Sequence, residues 1–254
     1  MSTNVRANMP RIGDWRDHVP RKASRTAKQK ALSKAKKTRD TIVARAVEIA
    51  AAEGLTALTI GRLAKELRMS KSGLFVHFGS KEKLEAAVIA RAADIFSGHV
   101  LEPAEDNVEH GIARVWTLCE YWLQFVDRQT LPGGYFFTGA FFVHARQDSS
   151  VSRQVREVVG EWLKALRLAV DEARHRQEIR MPVDAKRTAF ELNSLLIGAQ
   201  WSLLLDHLDH SHAHSAILAK LKSLATKRIP TDAFDSEAAW HHYLETMPTS
   251  RSLR

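Results

Sequence analysis

The stretch MSKSGLFVHFGSKEKL, Met69–Leu84, sets small polar residues and a lysine before a short apolar run. A histidine follows, then a Gly-Ser break and a charged restart. A helix N-terminus carries unpaired N–H groups and partial positive charge, which suits a phosphate. Ser70, Lys71, Ser72 and Gly73 occupy that end; the small serines and glycine let the helix approach base edges closely, while Lys71 is long enough to reach a phosphate or a guanine. His77, near the other end, and Lys81, opening the next helix, are spaced to meet backbone phosphates. This is the chemistry of a short helix reading a DNA major groove.

Such a helix needs a frame, and the flanking sequence supplies one. Ile42, Val43, Ala46, Val47, Ile49 and Ala50 form an apolar stripe at helical spacing, stopped by Gly54. Thr59 is a good N-cap for a second helix, with Ile60, Leu63, Ala64 and Leu67 on its inner face. Ser70 caps the third helix, from which Leu74 and Phe78 point inward. Gly79 breaks it, and Ser80 caps a fourth that runs past Leu84, Val88 and Phe96. A turn of only a few residues separates the second and third helices, which is helix-turn-helix spacing.

The run TIVARAVEIAAAEGLTALTIGRLAKELRMSKSGLFVHFGSKEKL resembles the DNA-binding domain of the TetR family of bacterial transcriptional regulators, over roughly residues 39–90. Three elements agree in order and spacing: the helix ending AAAEG, the TIGRLAKEL helix, and SKSGLFVHFGSKEKL. The resemblance implies an all-α homodimer, with an N-terminal three-helix helix-turn-helix domain and a helical ligand-binding and dimerisation domain. The family's DNA contacts fall on Thr59, Lys71, Ser72, Gly73, Phe75, His77 and Lys81; Arg39 and Ser70 complete the candidate set. Some positions depart from the family pattern. Phe75 stands where a tyrosine is common and Val76 where a second aromatic is. Arg68 sits where glycine often makes the turn, and Gly61 where longer side chains often reach DNA.

The 254 residues carry a net charge of +9. Residues 1–39 hold twelve Lys or Arg against Asp14 and Asp17, and the other 215 residues hold 26 basic against 27 acidic groups. The excess is therefore a basic arm, residues 1–38, that seeks a polyanion and reads as disordered when free. With Cys119 the single cysteine, no internal disulfide forms, which fits a reducing compartment. No apolar run approaches the ~18–20 residues of a membrane span, and the basic N-terminus lacks the apolar core of a secretory signal. A cytoplasmic protein, on the bacterial nucleoid when bound to DNA, with no membrane partner, is expected.

Beyond the helix-turn-helix (residues 39–84), residues 85–230 read as a helical effector and dimerisation domain and 231–254 as a C-terminal tail. Helical periodicity runs near 107–128, 135–147, 150–178, 183–209 and 212–227. Trp116, Trp122, Phe137, Phe141, His144 and Trp201 are candidates for an effector pocket, whose aromatic walls favour an apolar or aromatic small molecule. The segment Ala189–Leu208 is apolar nearly all round, so one face is free for a partner chain. Paired with Ala216–Ala225, it nominates Leu195, Gly198, Ala199, Leu203, Leu218 and Leu221 for the dimer interface. HLDHSHAHS, His207–Ser215, packs four histidines, but the irregular spacing reads as a solvated loop, and no metal site is assigned.

The functional expectation is a regulator that binds a pseudo-palindromic operator as a homodimer, represses, and is released or re-aimed by a small effector. The alternative is a sequence-tolerant, nucleoid-associated DNA-binding protein driven by the arm. An enzyme is not expected: no phosphate loop, nucleophile elbow, paired-carboxylate motif or cofactor motif is found.

Overall fold

A computed structural model describes residues 23–106, 111–131, 136–144, 149–206 and 211–246. The side chains of residues 23–28, 106, 141, 142, 144 and 203–206 lie outside that description. The chain divides into two compact units, Met1–Thr41 and Ile42–Arg254.

Helix α1, Ala23–Glu53, starts well before Arg39, where the sequence reading began order. Ala23, Ala27, Ala31 and Ala35 recur every fourth residue among Lys, Arg and Gln, all strong helix formers. In the first unit, residues 29–37 are exposed, and the Thr38 and Thr41 hydroxyls donate to the carbonyls of Lys34 and Lys37 at 3.0 Å.

In the second unit, α1 ends before Gly54 (φ 87°), and a 3-10 turn, Leu55–Ala57, leads to α2, Ile60–Glu66. Helices α3, Lys71–Phe78, and α4, Lys81–Phe96, follow. A π-helical turn, Ser97–Leu101, joins α4 to α5, Glu102–Asp106. The rest is helical too: α6, Ile112–Asp127; α7, Phe136–His144; α8, Ser150–His175; α9, Ala185–Asp206; and α10, Ser211–Leu224. The described residues contain no strand, only one isolated bridge between Ile179 and Ala225.

The long helix α8 is the hub of this body and packs on α4, α6, α7 and α9. Its inner face, with Val155, Trp162, Leu166 and Val170 buried, repeats at helical spacing. Local chemistry starts α6 without a side-chain cap of its own. Glu178 Oε2 accepts the Ile112 N–H at 2.7 Å, and Gly111 (φ 91°) must be glycine because a methyl there would meet Glu178 Oε2 at 2.1 Å.

The chain past Pro230, read above as a tail, folds in its described part. A 3-10 turn, Thr231–Phe234, leads to α11, Glu237–Thr246, which is capped by Ser236 Oγ accepting the Ala239 N–H at 3.0 Å. Trp240 is fully buried, with ring centroids 4.9 Å from Phe234 and 6.0 Å from Trp116. The reason is the indole's apolar area, which α11 removes from water against α6.

Candidate DNA-binding face and effector cavity

The helix-turn-helix caps are those the sequence supplies. Thr59 Oγ1 accepts from Arg62 N at 3.2 Å, Ser70 Oγ from Gly73 N at 3.0 Å, and Ser80 Oγ from Lys83 N at 3.1 Å. Gly79 closes α3 in the left-handed region at φ 74°. Arg68 makes the α2–α3 turn at φ 53°, which costs a non-glycine residue on the order of 1 kcal/mol. Leu63, Leu74 and Leu84, fully buried, lock α2, α3 and α4 into one core.

That packing turns one face of α3 outward. Lys71, Ser72, Phe75 and Val76 are exposed, Val76 to 83%, while Gly73 and His77 are half-buried. Ser70, Thr59 and Lys81 are exposed around them. Phe75 and Val76 thus leave apolar surface in water between the capped start of α3 and Lys81. A methyl group built on Gly61 would lie 3.2 Å from Lys71 Cε, so the absent side chain leaves room for the lysine to reach across α2. Arg39, also exposed, belongs to the first unit.

An ionic lattice stiffens the support behind this face. Arg62 pairs with both oxygens of Glu53, at 2.6 and 2.5 Å, and with Glu66 at 3.2 Å. Arg45 reaches Glu48 at 2.5 Å and Glu66 at 2.6 Å. Hydrogen bonds from Arg62 hold the Glu53 carboxyl below its ordinary value, and those from Arg45 and then Arg62 do the same for Glu66.

The second site is a cavity of about 290 Å³ lined by α4, α6, α7, α8 and α9. Phe96, Trp122, Phe137 and Trp162 form its aromatic wall, and Val158 and Ile197 add aliphatic surface. Phe96 meets Phe137 and Trp162 edge-on at 5.9 and 5.7 Å, so the wall is braced. Polar groups are few and already engaged: Asn193 Oδ1 accepts from Trp162 Nε1 at 2.9 Å, and Thr138 Oγ1 donates to Gln200 Oε1 at 2.9 Å. The shape and lining can accommodate a small, largely apolar molecule.

Of the residues the sequence nominated for this pocket, Trp122 and Phe137 line it. Trp116 does not: it is buried against Trp240 and His214 on the α10–α11 side of α6. Trp201 is 53% exposed on α9 and faces out. The side chains of Phe141 and His144 lie outside the described residues. Sequence reading missed Phe96, Trp162 and Asn193 as lining residues; the apolar positions of α4 and α8 carry a helical signal, but not which partner each face meets.

The face nominated for dimerisation also divides. Gly198 is exposed with open space over it, and Leu195 and Ala199 are half-buried beside it. Leu218 and Leu221 are buried in the chain's own core with Ile217, because α10 turns its apolar side toward α9 and α6, and they offer no surface to a partner. Leu203's side chain lies outside the described residues. Exposed apolar surface lies instead at Phe190 and Trp201 of α9. Phe190 edges an open groove of about 780 Å³ between α8 and α9. Cys119 is buried, and burial pushes its thiol up to about 12, so it stays protonated and chemically quiet.

A model of the bacterial regulatory proteins of the tetR family matches residues 42–88, and one of the tetracyclin repressor-like C-terminal domain matches residues 111–217. The chain belongs to the TetR family. A TetR transcriptional regulator from Chloroflexus aurantiacus J-10-FL is similar at 22% identity over 84% of this chain and 95% of its own, with a TM-score of 0.59. A transcriptional regulator from Saccharomonospora viridis, solved in complex with choline, is similar at 17% identity over 76% of this chain and 100% of its own, with a TM-score of 0.63. AibR, solved with isovaleryl coenzyme A and operator DNA, is similar at 19% identity over 74% and 97%, with a TM-score of 0.55. At these identities the likeness is one of fold. This TetR-family chain is a helix-turn-helix DNA-binding transcription regulator of a ligand-responsive family. Among the described residues, no helix is long and apolar enough to cross a membrane.

Proposed function

We propose that this TetR-family regulator binds a pseudo-palindromic operator as a homodimer, represses transcription there, and lets go when a small apolar or aromatic effector fills the cavity walled by Phe96, Trp122, Phe137 and Trp162. The observation that carries the reading is that the helices lining the cavity also hold the DNA-binding head. On α8, Val158 and Trp162 line the cavity, while Ser150 Oγ donates to Glu82 Oε1 and Gln154 Nε2 to the Ala86 carbonyl at 3.1 Å. Both acceptors belong to the first turns of α4, just after Ser80 and Lys81. On α7, Phe137 lines the cavity, while Phe136, Ala140 and Val143 border a cleft shared with Glu53, Gly54 and Leu55 beside α2. An effector that spreads α7 and α8 moves the first turn of α4 and the end of α1, and with them α3.

In the dimer, α8 and α9 of each protomer supply the contact, with Phe190, Ser194, Gly198 and Trp201 on the shared face under two-fold symmetry. The related folds solved with choline and with isovaleryl coenzyme A are consistent with an effector role for the cavity. Each α3 enters a major groove, the two about one helical turn apart. Selection from random duplex DNA by the full-length protein tests this reading. It predicts an enriched palindrome whose retention is lost on adding an effector. Enrichment without two-fold symmetry opposes it.

The basic arm favours a second reading, sequence-tolerant binding along phosphates, because residues 29–37 expose their lysines on a helix. DNA retention without any enriched sequence supports that reading instead.

A further inference from the structure

Three metal-ligating side chains that neither the DNA face nor the cavity uses come together from three helices, with a fourth, His241, against one of them. Glu120 lies on α6, His214 on α10, and Glu237 and His241 on α11. Glu237 and His241 are four residues apart, so they share one face of α11. One ligand atom each from Glu120, His214 and Glu237 lies within 4.8 Å of the others. His214 Nδ1 stands 3.0 Å from Glu237 Oε2, and His241 Nε2 stands 3.3 Å from Glu120 Oε2.

We infer that Glu120, His214 and Glu237 form a binding site for a divalent transition-metal ion of the zinc class, with His241 at its rim holding the Glu120 carboxylate. Ligands held at about 2.1 Å around a tetrahedral zinc stand about 3.4 Å from one another, and the three ligand atoms here already lie within 4.8 Å of one another, so small side-chain rotations close the set. Two separate His–Glu ion pairs need no common centre, whereas these carboxylates and His214 converge on one. The His214 imidazole disfavours calcium and magnesium, which prefer all-oxygen sites, and the imidazole–carboxylate set suits zinc, cobalt or nickel. The two carboxylates balance the ion's charge. Glu120 and His214 form a nearly buried floor, while Glu237 and His241 are partly exposed and leave a way in from solvent.

The imidazoles are also held in place. The buried Trp116 ring lies 5.6 Å from His214 and 6.3 Å from His241, centroid to centroid, which limits the rotation of both. Trp240, one residue before His241, anchors α11 beneath them. A bound ion would tie α11 to α6 and α10. It would also act on the stretch of α6 that carries Trp122, two residues after Glu120, and so on one wall of the cavity.

The test uses untagged full-length protein stripped with a chelator and titrated with Co²⁺ as an optical probe, then with Zn²⁺ in competition. The expected result is one Co²⁺ per chain with visible ligand-field bands, displacement by Zn²⁺, and a higher unfolding temperature with metal than without. Glu237→Gln and His241→Gln should each weaken binding at least about tenfold. A variant with His207, His210 and His212 replaced by alanine should bind like the parent. Failure to saturate at one ion per chain overturns the proposal, as does loss of binding in the variant lacking His207, His210 and His212. Parent-like binding by both Glu237→Gln and His241→Gln overturns it as well. Circular dichroism establishes that each variant is folded, and the exposed Glu237 position keeps the test decisive if His241→Gln misfolds.

Discussion

Lys71 of α3 lies over the bare α-carbon of Gly61 in α2: a methyl group on Gly61 would stand 3.2 Å from Lys71 Cε and 3.6 Å from Nζ. The two helices of the helix-turn-helix thus share one cation at the position where α2 has no side chain of its own. Replacing Lys71 with alanine should weaken DNA binding about equally across sequences and lower the slope of log K against log salt by about 0.9. Gly61→Ala only pushes aside the far end of a flexible chain, so its loss should be smaller and its slope unchanged. Fluorescence anisotropy at several salt concentrations separates the two.

The cap of α3 and its third residue are one unit. Ser70→Ala should cost about 1 kcal/mol of stability, the usual worth of an N-cap. Gly73→Ala places its methyl 3.0 Å from Ser70 Oγ and should forfeit much of the same cap, so the double variant should cost less than the sum of the singles. Urea unfolding of the three variants checks this.

Acid should loosen the frame of the DNA-binding head. Glu53, held below its ordinary value of 4.5 by Arg62, and Glu66, held below it by Arg45, bind protons less readily folded than unfolded. Their contribution is complete above about pH 4.5 and is lost as pH falls through the depressed folded values, because there the unfolded chain takes up more protons. The difference in unfolding temperature between the parent and Arg62→Met should therefore be full near neutrality and shrink below about pH 4.5.

Filling the aromatic cavity should separate ligand response from DNA binding. Val158→Phe adds a ring to the cavity wall at a cost of about 1–3 kcal/mol. Effectors that release the parent from DNA should leave this variant bound, with the operator affinity of the ligand-free parent. Titration of release against effector concentration reads the difference.

Trp240→Ala should destabilise the effector domain by about 3–5 kcal/mol, since the ring is fully buried between Phe234 and Trp116. Thermal unfolding with and without the substitution checks it, and a chain cut at Pro230 should behave at least as badly.

What the sequence revealed follows from the range of the forces involved. Thr59, Ser70, Gly79 and Ser80 mark helix ends through hydrogen bonds and φ angles that reach only three or four residues, so the helix-turn-helix could be read directly. The sequence does not place Trp116 correctly, because its burial depends on Trp240, more than a hundred residues away and in a segment that reads as a tail. Periodicity nominates Leu218 and Leu221 for a partner because it finds an apolar face without saying whether the chain itself or a second copy covers it. The cavity needs Phe96, Trp122, Phe137, Trp162 and Asn193 together, from five helices, and no local pattern announces such a meeting. In α1, alanine spacing outweighed the charge that suggested disorder before Arg39.

The central claim is that the α3 faces of two protomers read one palindrome. Full-length protein at about 150 mM salt should bind the selected palindrome at least about 10³-fold more tightly than a scrambled duplex of the same length, two chains to one duplex. Equal affinity for the two duplexes, or one chain per palindrome, would contradict it.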